Sequence, residues 1–405
     1  MGNQQTQGER FKHHSRQGVR KRERSRSKHT SMSLLLEDDS IVTEQEPSRF
    51  LDFRAKYSIT SDVLGKGRFG KVRRITNRAT GCDWAVKAAQ TSSDVNCSLI
   101  KAEVSILQEI SHKNIIKPID VYDTSSRVYI VLPLCKGGTL SSFLIERLES
   151  GKKVCVTECA VLISQLLSAV SHFHRHGIVH RDIKASNILL ENNGRERLTS
   201  LRVSDFGLAT RFDSTSPDNY MRTLAGTASF MAPEVIRRRY RKKADVWSSG
   251  VLFYLLLYGK LPFSGHSSSE IMYNVKKGNR SSLLLDALSS GMLCREARAF
   301  VDEMLQPDPS KRPSAQAALN HPWLVEKRNE YSSLHASAMT EVVTGKPLSS
   351  FSGQKHGKIK QNSAATTRKK INKLNSLQRE INNFKQYFFL DLQTEESDLA
   401  DHSLQ

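Results

Sequence analysis

His180-Arg181-Asp182-Ile183-Lys184-Ala185-Ser186-Asn187 sets a carboxylate between two cations and closes on a carboxamide; Asp205-Phe206-Gly207 and then Ala232-Pro233-Glu234 follow it. Toward the N-terminus stands Leu64-Gly65-Lys66-Gly67-Arg68-Phe69-Gly70-Lys71-Val72, a G-x-G-x-x-G-x-V run. Glycines, lacking Cβ, let backbone amides close on phosphate oxygens. Alone, such a run is equally a glycine-rich hairpin turn. Fifteen residues beyond Val72, Ala85-Val86-Lys87 ends a strand pattern, where a lysine reaches the same phosphates. A lone lysine reads as a solvated one, but the two features together point to a phosphate-binding site.

Five spaced motifs in this order resemble the eukaryotic protein kinases. The resemblance covers residues 57–324 and lies in the serine/threonine branch. It is nearest to the calcium/calmodulin-regulated and calcium-dependent kinases around Asp245 to Phe263 and at His321-Pro322-Trp323. It implies an α+β, two-lobed fold, with a small antiparallel-sheet N-lobe and a mainly helical C-lobe. The activity implied is transfer of the γ-phosphate of Mg-ATP to serine and threonine hydroxyls of protein substrates.

Phosphoryl transfer holds two anions together and neutralises charge on the moving group, so it needs metal ions, a cation and an acceptor for the hydroxyl proton. By resemblance, Asp182 accepts that proton, Lys184 marks the serine/threonine branch, and Asn187 and Asp205 offer oxygens to Mg2+, a hard cation. Lys87 holds the α and β phosphates and is itself held by Glu103, with Glu109 the weaker choice. Val72, Ala85 and Leu189 enclose adenine, beneath the glycine-rich segment 64–72. Pro133 stands where an acidic residue is common and has no amide to donate, so adenine recognition passes to the Cys135 amide. Thr227 bonds to the catalytic loop, Glu234 pairs with Arg312, and Asp245 holds the loop's backbone. Arg181 pairs with a phosphate on the activation segment, for which Thr223 is the matching acceptor ahead of Ser214, Thr215, Ser216 and Tyr220. Lys136, Thr139 and Leu255 replace acids that select upstream arginine, so a strong preference for basic substrates is not expected.

Periodicity agrees with that division. Three β-type runs, 57–64, 71–77 and 83–89, and a fourth at 128–132 surround one helical face at Leu99 to Ile110. Helical patterns then dominate at 161–174, 243–258, 269–277 and 295–305. The apolar run Val251 to Tyr258 is far shorter than the ~20 residues that span a bilayer and reads as a buried helix. No apolar leader stands near Met1, and the six cysteines lack a CxxC pair, so reduced, structural thiols are expected in a cytosolic or nuclear protein.

The 405 residues carry a formal charge of +20, and its distribution is telling. From Arg10 to Thr30, nine Lys and Arg face one acid, Glu23. With little apolar surface to offset ordering entropy, residues 1 to about 50 read as a disordered tail. Met1-Gly2-Asn3-Gln4-Gln5-Thr6 fits the N-myristoylation pattern at Gly2, and the basic segment is the second signal that one acyl chain needs at an anionic membrane. A membrane-associated cytoplasmic location is therefore expected, with a nuclear localisation signal at Lys21-Arg22-Glu23-Arg24 as the alternative.

Residues 325–405 read as a regulatory or docking tail. An amphipathic helix at 368–389 there is an autoinhibitory or calmodulin-binding segment, a docking helix or a local coiled coil. No D-x-D-x-D-G loop follows, so direct calcium binding is not expected. Two rival readings are a pseudokinase scaffold, against which Lys87, Asp182, Asn187 and Asp205 all stand, and a nucleic-acid binder, for which no recognition module accompanies the charge.

Overall fold

A computed structural model describes residues 48–67, 70–91, 94–124, 126–152, 154–192, 200–213, 215–216, 218–279 and 295–344. The smaller lobe is a five-stranded sheet of β1 (Tyr57–Gly67), β2 (Gly70–Asn77), β3 (Asp83–Gln90), β4 (Asp120–Asp123) and β5 (Arg127–Pro133). Its order is β1-β2-β3-β5-β4, with every neighbouring pair antiparallel. Alternation along a strand sends successive side chains to opposite faces. In β5, Tyr129 and Val131 join Phe53, Tyr57, Ile75 and Val86 on one face. Val128 and Ile130 join Ala89 and Ile100 of helix α2 (Asp94–Glu109) on the other. Lys87 has the parity of Ala85 and Ala89, so it emerges on the α2 side.

Two elements here were not expected. A nine-residue helix, α1 (Ser48–Lys56), precedes the first strand and takes the end of the segment read as a disordered tail. Its Phe53 is wholly buried, stacked on Tyr129 at 4.9 Å between ring centroids and edge-on to Tyr122 at 5.4 Å. So short a helix is marginal in water and gains its stability from that burial. The second element, β4, is too short to show alternation. The Tyr57 hydroxyl and Lys56 ammonium both donate to its first residue, Asp120.

The larger lobe is helical: α3 (Leu140–Glu149), α4 (Val156–Arg175), α5 (Pro233–Ile236), α6 (Lys243–Tyr258), α7 (Ser268–Lys277), α8 (Arg295–Met304), α9 (Ala315–Leu319) and α10 (Pro322–Thr344). It also carries two short antiparallel strand pairs. One pairs β6 (Ile178–Val179) with β9 (Thr210–Arg211), the other β7 (Ile188–Leu190) with β8 (Leu201–Val203). Helix α6 is buried almost all round, its second half an unbroken apolar run from Val251 to Tyr258, and stops at Gly259 in the left-handed conformation. Among the described residues α4 alone is long and apolar enough to cross a bilayer. It is a core helix, packed on α6, α9 and α10. Helix α10 begins at the His321-Pro322-Trp323 end of the compact pattern and runs to Thr344, with Arg328 reaching Ser164 of α4.

Candidate active site

The loop between β6 and β7 carries the quoted octapeptide, and one buried carboxylate fixes its course. Asp245, in the first turn of α6, accepts from the His180 and Arg181 amides at 3.0 and 2.9 Å and from His174 Nε2 at 2.8 Å. These bonds hold its carboxyl below the usual range although burial pushes the other way. His174 was not singled out from sequence, because a histidine on an otherwise apolar helix looks like any other core position. With its backbone so held, Arg181 sits at φ +69°, a strained conformation for a residue with a Cβ.

Asp182 is buried, and both its oxygens are engaged. One accepts from the amide and hydroxyl of Thr227 at 3.1 and 2.9 Å, the other from Asn187 Nδ2 at 3.0 Å. Lys184 Nζ stands 3.3 Å from the second oxygen and donates to Thr227 Oγ1 at 3.0 Å. Gly226 permits this closeness: at φ +104°, a Cβ there would run into the Arg181 carbonyl. A carboxylate flanked by a lysine, in a loop locked from below, can orient a hydroxyl and take its proton.

Across the cleft, Lys87 Nζ meets Glu103 at 2.8 and 2.9 Å and Asp205 at 3.2 Å. Burial disfavours the ammonium, but Asp205 and Glu103 outweigh it and raise the Lys87 pKa. Lys87 in turn holds the Asp205 carboxyl below its ordinary range. Glu109 lies at the surface, paired with Arg211. Asp205 is the second strained residue, at φ +60°, and the adjacent Phe206 is buried against His180 and Phe173.

Oxygen donors for a divalent cation can be tested on this geometry. Both bonds from Asn187 Nδ2 go to Asp182, which leaves the carboxamide oxygen as the ligand atom. The Asp205 side chain is 40% accessible. A carboxylate and an amide oxygen, completed by phosphate and water, suit Mg2+. Above them, Ala85 is buried while Val72 and Leu189 are half-buried. Strands β1 and β2 form the glycine hairpin, with Gly65 opposite Val72, Lys66 opposite Lys71 and Gly67 opposite Gly70; Leu64 is exposed. A Cβ at Gly70 would collide with the Ala88 carbonyl. Pro133 closes β5 opposite Trp84, and Cys135 follows it. Arg68, Phe69, Gly2 and the 368–389 segment lie outside the described residues.

Thr223 is exposed, and its carbonyl accepts from the Tyr240 hydroxyl at 2.8 Å. Arg181 lies beside the same hydroxyl and donates from Nε to the Leu208 carbonyl at 2.6 Å. Glu234 receives Arg312 in a two-pronged pair at 2.6 and 3.1 Å, fully buried under the segment. Such a fork fixes orientation as well as charge.

A family model for the protein kinase domain matches residues 58–324. Calcium-dependent protein kinase 3 of Plasmodium berghei (strain Anka) is 33% identical over 277 residues, covering 68% of this chain and 48% of its own. Calcium/calmodulin-dependent serine/threonine-protein kinase 1 of Oryza sativa subsp. japonica is 35% identical over 300 residues, covering 70% and 48%. The chain thus spans about half the length of the curated relatives it matches. A crystal structure of Rad53 1-466 in complex with AMP-PNP is similar at TM-score 0.56 and 32% identity, over 67% of this chain and 66% of that one.

Proposed function

The chain belongs to the protein kinase family, and from that premise we propose that it transfers the γ-phosphate of ATP to serine and threonine hydroxyls of protein substrates. One observation carries the reading: Asp182, Lys184, Asn187 and Thr227 form one buried hydrogen-bonded set, facing a Lys87 already paired with both Glu103 and Asp205. The acceptor oxygen bonds the γ phosphorus as the β–γ bridge breaks, and the hydroxyl proton goes to Asp182. Lys184 lies within reach of the charge that develops between them, and Lys87 faces the α and β phosphates. Bound Mg2+, held by Asn187 and Asp205, would neutralise phosphate charge. Transfer of labelled phosphate from Mg-ATP to a generic serine acceptor, lost in Asp182→Asn, is the result expected. Transfer by neither protein would favour the scaffold reading.

The same reading extends to control and address. Phosphorylation of Thr223 places a dianion within reach of Arg181 and switches the enzyme on. Unchanged activity in Thr223→Ala would remove the switch. Myristoylation of Gly2 together with the basic segment from Arg10 holds the chain at an anionic, cytoplasmic membrane surface. Failure to incorporate labelled myristate would reject it, and strip-down to a nuclear signal would then be the better account of the charge. The 368–389 segment, read from its sequence as an amphipathic helix, docks calmodulin or another protein. Retention of the full chain, but not of a chain ending at 367, on immobilised calcium-loaded calmodulin is the check.

A further inference from the structure

Arg237-Arg238-Arg239-Tyr240-Arg241-Lys242-Lys243 leads from α5 into α6 with cations at every position but one. The structure uses three of them inwardly. Lys243 donates to the Pro309 and Arg312 carbonyls. Arg241 donates to the Asn219 and Ser216 carbonyls and stands over the Tyr220 ring, and Arg239 stacks on that ring at 3.8 Å. Tyr240 is buried, and its backbone exchanges hydrogen bonds with Met221 of the activation segment at 2.9 and 3.1 Å. The strip is thus fastened along the segment that, a few residues on, delivers Thr227 to Asp182.

The remaining cations have no such use. Arg237, Arg238 and, across the pairing, Arg222 are exposed, and Lys242 is half-exposed. Among the described residues no carboxylate lies within ion-pair distance of any of the four. Between residues 214 and 243 there are seven cations and two carboxylates, and Glu234 is consumed by Arg312. Like charges crowded on a fixed backbone repel, a cost that a bound anion reverses, and little ordering is left to do on binding. At the positions read from sequence as selecting basic peptides, Lys136 is exposed and Leu255 is buried, so no carboxylate competes for a cationic substrate there.

We propose that this strip is a substrate-recognition surface and that the preferred protein substrates carry aspartate, glutamate or phosphorylated residues beside the acceptor hydroxyl. The assignment rests on the phosphotransfer reading above and narrows its substrate class. Steering by exposed charges acts on encounter and KM and fades with salt, because screening sets in within about 8 Å at physiological ionic strength.

The test compares the full chain with Arg237→Glu/Lys242→Glu and the milder Arg237→Gln/Lys242→Gln. Serine peptides with three acids, three arginines or neither beside the acceptor serve as substrates at low and high ionic strength. Exposed pairs contribute at most ~1 kcal/mol each, so the acidic peptide should show a KM roughly tenfold below the neutral one at low salt. Both double variants should erase that advantage with kcat on the neutral peptide unchanged. Equal or better use of the arginine peptide, or an acidic-peptide KM untouched by the variants, would overturn the proposal. Loss of binding to phosphatidylserine vesicles without a change in peptide KM would overturn it in favour of a lipid surface. Should no peptide be phosphorylated, anisotropy of a labelled acidic peptide separates the two claims. Strip-dependent binding keeps the surface and discards the kinase reading, and absent binding discards the surface.

Discussion

Asp245 and Lys87 hold the two halves of the site in opposite ways. The carboxylate is buried in the larger lobe and receives two backbone amides and a histidine, all from the chain that runs into the catalytic loop. The ammonium sits where three elements meet: its own strand β3, the helix α2 that carries Glu103, and the Asp205 turn of the other lobe. Remove one bond from the first network and the loop retains others. Break the Lys87–Glu103 contact and β3 loses that polar tie to α2. The catalytic-loop half thus rests on an over-determined base, while the half around Lys87 hangs on contacts that a shift of one helix can undo. On the proposed reading, the larger lobe fixes the reacting carboxylate and the smaller one decides whether a nucleotide is held against it.

Substitutions can break that contrast. Asp182→Asn keeps the shape and the Thr227 contacts but removes the proton acceptor. It should lower kcat by roughly 10²–10⁴-fold, about 3–5 kcal/mol in barrier, while the melting temperature holds. A parallel fall in melting temperature would mean that the carboxylate is structural. Asp245→Ala does the reverse. It strands two amides and His174 in the core, and should cost roughly 3–5 kcal/mol of stability before any loss of turnover is counted. Denaturant unfolding checks it, and a loss below about 1 kcal/mol would show that the loop is held by other means.

The smaller lobe should respond differently. Glu103→Gln leaves Lys87 its Asp205 partner and the core intact, so unfolding should barely change. With the lysine less well placed, kcat/KM for ATP should drop about ten- to a hundredfold. If instead stability falls as it does for Asp245→Ala, the two halves are equally rigid and the contrast fails.

What could be read from the sequence follows the same line. Phosphoryl transfer dictates residue types at set spacings, so Lys87, Asp182, Asn187 and Asp205 stood out before any geometry was known. Helix α6 was legible too, since the eight apolar residues from Val251 to Tyr258 read as a buried helix. Glu103 and Glu109 are both α2 glutamates, and only the fold shows that one enters the cleft while the other meets Arg211 at the surface. Helix α1 was invisible because its order comes from Phe50 and Phe53 finding Tyr129 and Tyr122, residues more than sixty positions away. The hold of Arg239 and Arg241 on Tyr220 likewise exists only in three dimensions.

That outer aromatic face gives the smallest and most specific test. Burial and the hydrogen bond to Asp120 push the Tyr57 phenol up to about 12. Asp120 is held below its ordinary range by Lys56 and Tyr57, against the opposing effect of burial. A raised phenol pKa adds stability that is complete below pH ~10, its unfolded value, and is lost as pH climbs toward 12. A depressed carboxyl pKa adds stability present above the unfolded carboxylate value near 4 and lost as pH falls through the folded one. The smaller lobe should therefore lose stability at both extremes for separate reasons. Tyr57→Phe removes the hydroxyl but keeps the ring packed, so it should cost only about 1 kcal/mol at neutral pH. It should also flatten the alkaline edge, where the wild type loses roughly 1–3 kcal/mol, while an acid edge remains. Melting curves against pH for the two proteins read this directly. An alkaline edge that survives in the phenylalanine variant would assign it elsewhere. It would also leave α1 held by its apolar contacts, without help from the Tyr57–Asp120–Lys56 set that lies beside it.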